Sequence, residues 1–261
     1  MGLTSGSTGR KAVDEGLVIH RETPQDRVIA LAGNPNVGKS TVFNGLTRMN
    51  QHTGNWPGKT VANAQGRCEH GGRGFVMVDI PGSYSLMAHS AEEEVARDFI
   101  CFGDPDAVVV VCDATCLERN LNLVLQTIEI TPHTVVCVNL MDEARKKKIH
   151  VDIDELSRQL GVPVTAAAAR SGKGLDALMD AVDKATQRSG PPADPVPILY
   201  APAVEQAISE LELPLRECCG SRINPRWLAL RLLEGDDGLI QSVQQYLGGS
   251  VLEDPAVQEP L

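Results

Sequence analysis

The sequence predicts an α/β fold, a mostly parallel sheet with helices on both faces, followed by a small all-α domain. Three observations carry this. Short apolar runs alternate with segments of helical periodicity from residue 27 to about 187, the signature of parallel strands joined by crossover helices. A Pro-rich stretch, SGPPADPVP at 189–197, then breaks the alternation. Only helical patterns follow it.

The elements are expected in this order. Residues 1–26 are polar and at first rich in Gly, Ser and Thr, and read as a flexible lead-in. Residues 27–32 are a buried strand, 33–40 a loop and 41–49 a helix. NQHTGNWPGK at 50–59 is rich in Gly, Asn and Pro and reads as a mobile loop. Residues 60–69 and 75–79 form a hairpin through the turn HGGRG. Helices are expected at 91–102, 117–130, 154–160 and 175–186, and strands at 107–112, 134–139 and 162–166. In the helical part the patterns fall at 203–213, 225–233 and 239–247. The domain reading is therefore a lead-in at 1–26, an α/β domain at 27–187 and a helical domain at 188–261.

Composition narrows the class. Of 261 residues, 42% are hydrophobic and 22% charged, as in ordinary globular proteins, and with only 3% aromatics the core must come from Val, Leu, Ile and Ala. A net charge of −10 repels phosphate backbones, so no nucleic-acid partner is expected. Seven cysteines without paired spacing point to a reducing compartment. The first residues lack the apolar centre of a signal peptide. No apolar run approaches the ~20 residues that span a bilayer.

The chemistry begins with Gly33-Asn34-Pro35-Asn36-Val37-Gly38-Lys39-Ser40, a match to GxxxxGK[ST] placed between a strand and a helix. Such a loop turns successive backbone N–H groups onto phosphate oxygens, and the following helix, opening with Thr41, adds its positive N-terminus. Lys39 is expected to bridge the β- and γ-phosphates and Ser40 to give its hydroxyl to Mg²⁺.

Two further motifs point to GTP. Asp79-Ile80-Pro81-Gly82 ends an apolar strand: the carboxylate can hold the Mg²⁺ shell and the Gly82 amide can meet the γ-phosphate. Asn139-Leu140-Met141-Asp142 also ends a strand, and Asp142 can accept from guanine N1 and N2, a donor pair that adenine lacks. Either motif alone is weak. Their order, each at the C-terminal end of a strand, is what decides.

At this point the chain resembles the Ras-like and translation-factor-like P-loop GTPases. The resemblance implies one more element, a loop whose backbone N–H reads guanine O6, here Ala168-Ala169-Arg170-Ser171-Gly172. The family pattern starts this loop with Ser-Ala. Ala-Ala leaves the amide of Ala169 but removes a supporting hydroxyl. Leu140 stands where most such proteins have Lys, which predicts weaker binding and fast GDP release.

More specific words cover about residues 27–236: GNPNVGKSTVFNGLT, GNWPGKTV, DIPGSYSL, CDATCLERNLNLVLQ, NLMDEA and NPRWLALRLLEGD. Together they resemble the cytosolic part of FeoB, the bacterial ferrous-iron transporter family. The last word lies beyond the G domain, in a helical module proposed to stabilise the GDP-bound state in that family. The resemblance implies that Thr60 binds Mg²⁺ and the γ-phosphate, and that Asn36 ligates K⁺ at the phosphates. It also implies a place on the cytoplasmic side of the bacterial inner membrane. The partner it implies is the transporter's own membrane domain, which these residues do not include. Self-association into a homo-oligomer stays open. Ser83 occupies the position of a catalytic Gln, so slow intrinsic hydrolysis is expected.

Blander readings apply elsewhere. Cys112, Cys116, Cys218 and Cys219 lack metal-site spacing and read as packing residues. His52, His70, His89 and His133 read as surface or loop residues, and the basic run at 145–148 as a solvated helix face. Trp56 either gates the nucleotide or anchors its loop on the core. Two other functions remain open from sequence: an RNA- or ribosome-linked assembly GTPase, and a nucleotide-binding regulator without turnover.

Overall fold

The computed structural model describes residues 17–48, 51–56, 61–87, 90–187, 195–220, 222–248 and 257. Seven strands form one sheet: β1 (Arg27–Gly33), β2 (Gln51–Asn55), β3 (Ala62–His70), β4 (Arg73–Asp79), β5 (Ala107–Asp113), β6 (Thr134–Asn139) and β7 (Val164–Ala166). Their spatial order is β2-β3-β4-β1-β5-β6-β7. Strand β1 pairs in parallel with β4 and β5, and the parallel run continues through β6 to β7. Strands β2 and β3 extend it antiparallel. The sheet is thus mixed, with the parallel part where the motifs lie.

Alternation sorts the strand side chains onto two faces. Val28, Ala30, Val108 and Val110 join one core cluster, and Ile29, Leu31, Val109 and Val111 the other. Helices α2 (Ala91–Phe102), α3 (Leu117–Ile130) and α5 (Ile153–Leu160) bury the first face. Helices α1 (Lys39–Thr47) and α6 (Leu175–Ala185) bury the second. Between β6 and α5 lies α4 (Met141–Lys146), and α7 (Pro202–Cys219), α8 (Pro225–Glu234) and α9 (Asp237–Leu247) form the helical part. Among the described residues no helix is long and apolar enough to cross a membrane. Local sequence starts several of these helices. Ser90, Asp152, Asn224 and Asp236 each cap the backbone of the following turn, and Pro225 stands at the first turn of α8.

The helical part has its own core, built on Ile208, Leu211, Leu215, Leu228 and Val243. Phe102, at the end of α2, belongs to that cluster and stacks 5.0 Å from Tyr246. Arg226 binds Glu205 with both terminal guanidinium nitrogens, at 2.9 and 2.8 Å, and also the Ile198 carbonyl. This fork ties the connecting segment to α7 and α8 and, with the Tyr200 amide, holds the Glu205 carboxyl down at about 2.

Several expectations are corrected. Residues 51–55 are an edge strand, not a mobile loop. Their sequence, QHTGN, carries no apolar alternation because an edge strand is held by backbone pairing. Residues 57–60 lie outside the described residues, as do 1–16 and 188–194. The end of the lead-in is anchored: Leu17 is buried in the first core, and Gln65 holds the Val18 carbonyl and the His20 amide. Helix α7 runs through Pro214 to Cys219, well past the expected stop at 213. Its core contacts Leu215 and Cys219 outweigh the lost hydrogen bond.

Candidate nucleotide-binding site

Strands β1, β4, β5 and β6 all end on one edge of the sheet, in Gly33, Asp79, Asp113 and Asn139. This is the edge where open α/β sheets take ligands. The phosphate loop leaves β1 there. Asn36 (φ 68°) and Gly38 (φ 80°) are both left-handed and curl the loop back on itself before α1 begins. The curl is tight enough that a Cβ on Gly38 would lie 2.5 Å from Asn139 Nδ2. Pro35, Asn36, Ser40 and Thr41 are exposed, while Asn34 and Val37 are buried.

Lys39 reaches across this loop. Its ammonium pairs with Asp79 Oδ1 and donates to the Ile80 carbonyl at 2.6 Å. The two groups assigned to phosphate and Mg²⁺ are therefore already partners. The 80–83 segment is tied to the phosphate loop by backbone as well: the Ile80 amide donates to Leu31 O at 3.2 Å and the Ser83 amide to Gly33 O at 3.3 Å. A Cβ on Gly82 would sit 3.4 Å from Pro35 N, so this glycine permits close approach. Ser83 is buried and presents no side chain where a catalytic glutamine is expected.

Asn139 joins the base side of the site to the phosphate side. It is 1% exposed; Nδ2 donates to the Val37 carbonyl at 3.1 Å and Oδ1 accepts the Ala169 amide at 3.0 Å. Leu140 follows with φ 60°, a conformation rare for a non-glycine residue. That turn starts α4 and places Asp142 in its first turn, half-buried and without a hydrogen bond to any described residue.

One expectation for the 168–172 loop changes. The Ala169 amide, assigned to guanine O6, is engaged with Asn139, so an incoming O6 must share it. Position 168 is Ala; farther along the loop Ser171 Oγ donates to the Ala168 carbonyl at 3.0 Å. Arg170 is exposed beside the loop. Thr60, the remaining site residue, lies outside the described residues.

Trp56 is buried against Phe99 of α2, edge to face at 5.3 Å, and so anchors its loop on the core. Cys112, Cys137 and Cys219 are buried packing groups, whereas Cys116, expected to pack, is exposed and Cys218 is only partly buried. Burial pushes Cys137 up to about 12 and Cys112 higher still, leaving both protonated at neutral pH. His70 pairs with Asp180 at 2.7 Å, and His133 Nδ1 meets the Ala185 carbonyl at 2.9 Å. His89 lies outside the described residues.

The fold and the loop geometry define the class: a P-loop GTPase-type G domain followed by a helical domain. Comparison with known proteins narrows it. The family profile described as ferrous iron transport protein B matches residues 27–182, and that of the FeoB cytosolic helical domain matches residues 200–259. The Fe(2+) transporter FeoB of Salmonella typhimurium is 38% identical over 216 residues, 80% of this chain. The Escherichia coli K12 transporter is likewise 38% identical, over 214 residues. The chain belongs to the FeoB family. It spans only 27% of the length of those relatives. Among solved structures, the cytosolic domain of T. maritima FeoB in its GMPPNP form superposes with a TM-score of 0.77 at 34% identity, covering 90% of this chain and 91% of that one. A single-site mutant of S. thermophilus NFeoB bound to GDP gives 0.76 at 33% identity, covering 90% and 88%.

Proposed function

We propose that this chain binds guanine nucleotide and hydrolyses GTP, as the cytosolic regulatory part of a ferrous-iron membrane transporter. The observation that carries the reading is Asn139, which holds the phosphate loop and the 168–172 loop to one strand end while Leu140 turns Asp142 into position beside them. Relatives in GDP and GMPPNP forms support it.

The residues have separate tasks. The amides of 33–38 and the N-terminus of α1 bind phosphate oxygens. Lys39 leaves Asp79 for the phosphates, an exchange of one anionic partner for another. Asp142 accepts the guanine edge, and an adenine would leave it unpaired. The donor set Ser40, Thr60 and Asp79 is hydroxyl and carboxylate only, which suits a hard ion such as Mg²⁺. Bound there, Mg²⁺ neutralises charge on the phosphates. The exposed, left-handed Asn36 offers an amide oxygen for K⁺. With Ser83 buried, backbone from the stretch 54–60 is left to orient the attacking water, and turnover without K⁺ is slow.

We read 27–187 as the G domain and 188–261 as the helical domain. Iron movement belongs to the membrane domain of the longer relatives, with this chain acting on it. GTP turnover measured in K⁺ against Na⁺, with ATP as control, tests the proposal. Turnover of GTP alone, faster in K⁺, is expected; equal turnover of ATP contradicts it.

A further inference from the structure

Helix α3 carries four polar residues in a line, Arg119, Asn122, Gln126 and Glu129. Their three-and-four spacing puts them on one face, spanning about 15 Å. The opposite face, with Leu123, Val124 and Ile128, buries the helix in the core. The polar line is therefore free to hold something else, and it holds two different things.

Its first three members grip the segment that follows Asp79-Ile80-Pro81-Gly82. The Arg119 guanidinium lies 4.3 Å over the Tyr84 ring, and Arg119 O accepts Asn34 Nδ2 at 3.4 Å from the phosphate loop. Asn122 Nδ2 donates to the Tyr84 carbonyl at 3.1 Å. Gln126 Oε1 accepts the Leu86 amide at 2.6 Å and the Ser85 hydroxyl at 3.1 Å. The fourth member faces the helical domain. Glu129 Oε1 accepts the Tyr200 hydroxyl at 2.6 Å, and Glu129 O accepts Asn224 Nδ2 at 2.9 Å. Asn224 in turn caps α8 through the Arg226 amide. A direct contact runs alongside: Arg231 of α8 lies 2.8 Å from the sulfur of Met87.

We propose that Asn122 and Gln126 are positioning residues for GTP hydrolysis, and that α3 is a rigid strut passing the state of residues 83–87 to the cap of α8. This rests on the reading of the chain as a GTPase. The segment sits between the Gly82 amide and the α3 clamp, so loosening the clamp lets Gly82 and Asp79 wander without touching the groups that bind the base. Loss is therefore expected in turnover rather than in affinity.

The test uses the full chain, unaltered and as Gln126→Ala, Gln126→Glu and Asn122→Ala, with GTP turnover and amide hydrogen exchange as readouts. Gln126→Ala is expected to lower kcat about tenfold while KM for GTP stays within about twofold. Gln126→Glu retains an acceptor for both the Leu86 amide and the Ser85 hydroxyl, and is expected to restore kcat. Asn122 is exposed, so its variant keeps the fold and repeats the kcat loss on a smaller scale. In Gln126→Ala, exchange is expected to quicken at Leu86 and also at Arg226, at the far end of the strut. Unchanged kcat, a Glu variant as impaired as the Ala variant, or faster exchange at Leu86 alone would overturn the proposal. If the unaltered chain shows no turnover, the GTPase reading fails separately, and the exchange at Arg226 still decides whether α3 acts as a strut.

Discussion

Asn139 spends both ends of its amide on backbone, and each bond joins a loop that the sequence assigns to a different part of the nucleotide. Replacing it with Ala leaves the Val37 carbonyl and the Ala169 amide unpaired in a buried place, at about 1–3 kcal/mol each. We expect Asn139→Ala to lower the melting temperature by roughly 5 °C in calorimetry and GDP affinity at least about tenfold. Asp142 is the contrasting case. It bonds to no described residue, so Asp142→Ala is expected to leave melting unchanged while GDP affinity falls about thirtyfold, the loss of a charge-assisted pair worth about 2 kcal/mol. Titration calorimetry of the two variants separates an architectural residue from a recognising one. Both positions were legible in the sequence, because NxxD ends an apolar strand and follows the phosphate loop and DxxG in order. The engagement of the Ala169 amide was not, since it depends on backbone geometry that only folding sets.

Among elements, the parallel strands and their helices were legible because each buries a face, and burial writes a period into the sequence. Strand β2 escaped notice because it pairs through backbone and shows no apolar alternation. Helix α4 was expected only as a solvated face at 145–148; it runs instead over Met141–Lys146, six residues too few to show a period. The lead-in illustrates a third failure: polar residues can be anchored by charge. Asp26 is 2% exposed and accepts from the Arg67 guanidinium at 3.0 Å and the Thr23 hydroxyl at 2.7 Å. Burial works to raise its carboxyl, but these bonds and the amides of Glu22 and Thr23 prevail, taking it from 3.8 down to about 2. A depressed carboxylate stabilises the fold above its ordinary value and loses that contribution as pH falls from about 4 toward 2. Asp26→Asn is expected to cost about 2 kcal/mol at pH 7 in urea unfolding, with the difference from the unaltered chain closing in acid. A gap that persists at pH 2 would contradict this account of the anchor.

Over the whole molecule, the nucleotide loops sit at one edge of the sheet and the helical domain packs against α2 and α3. Phe102 contributes to the helical core, and Asn224 and Tyr200 reach back to Glu129. That a helical domain follows was legible from its periodicity. Where it docks was not, because the docking bonds join residues 71 and 95 positions apart. At this scale the charge chemistry is also decided. The chain offers Lys39 but no glutamine at position 83, so under the proposed mechanism added positive charge at Asn36 is expected to have a large effect. Turnover is expected to rise about tenfold or more in K⁺ over Na⁺, and Asn36→Ala to abolish the difference while GDP binding persists.

Phosphates held by the amides of 33–38, with guanine selected by Asp142, are the basis of everything proposed for this chain. Calorimetric titration with GDP and with ADP, magnesium present, tests that pairing most directly. A saturable heat with GDP and none with ADP is the predicted result; equal heats with both, or none with GDP, would contradict it.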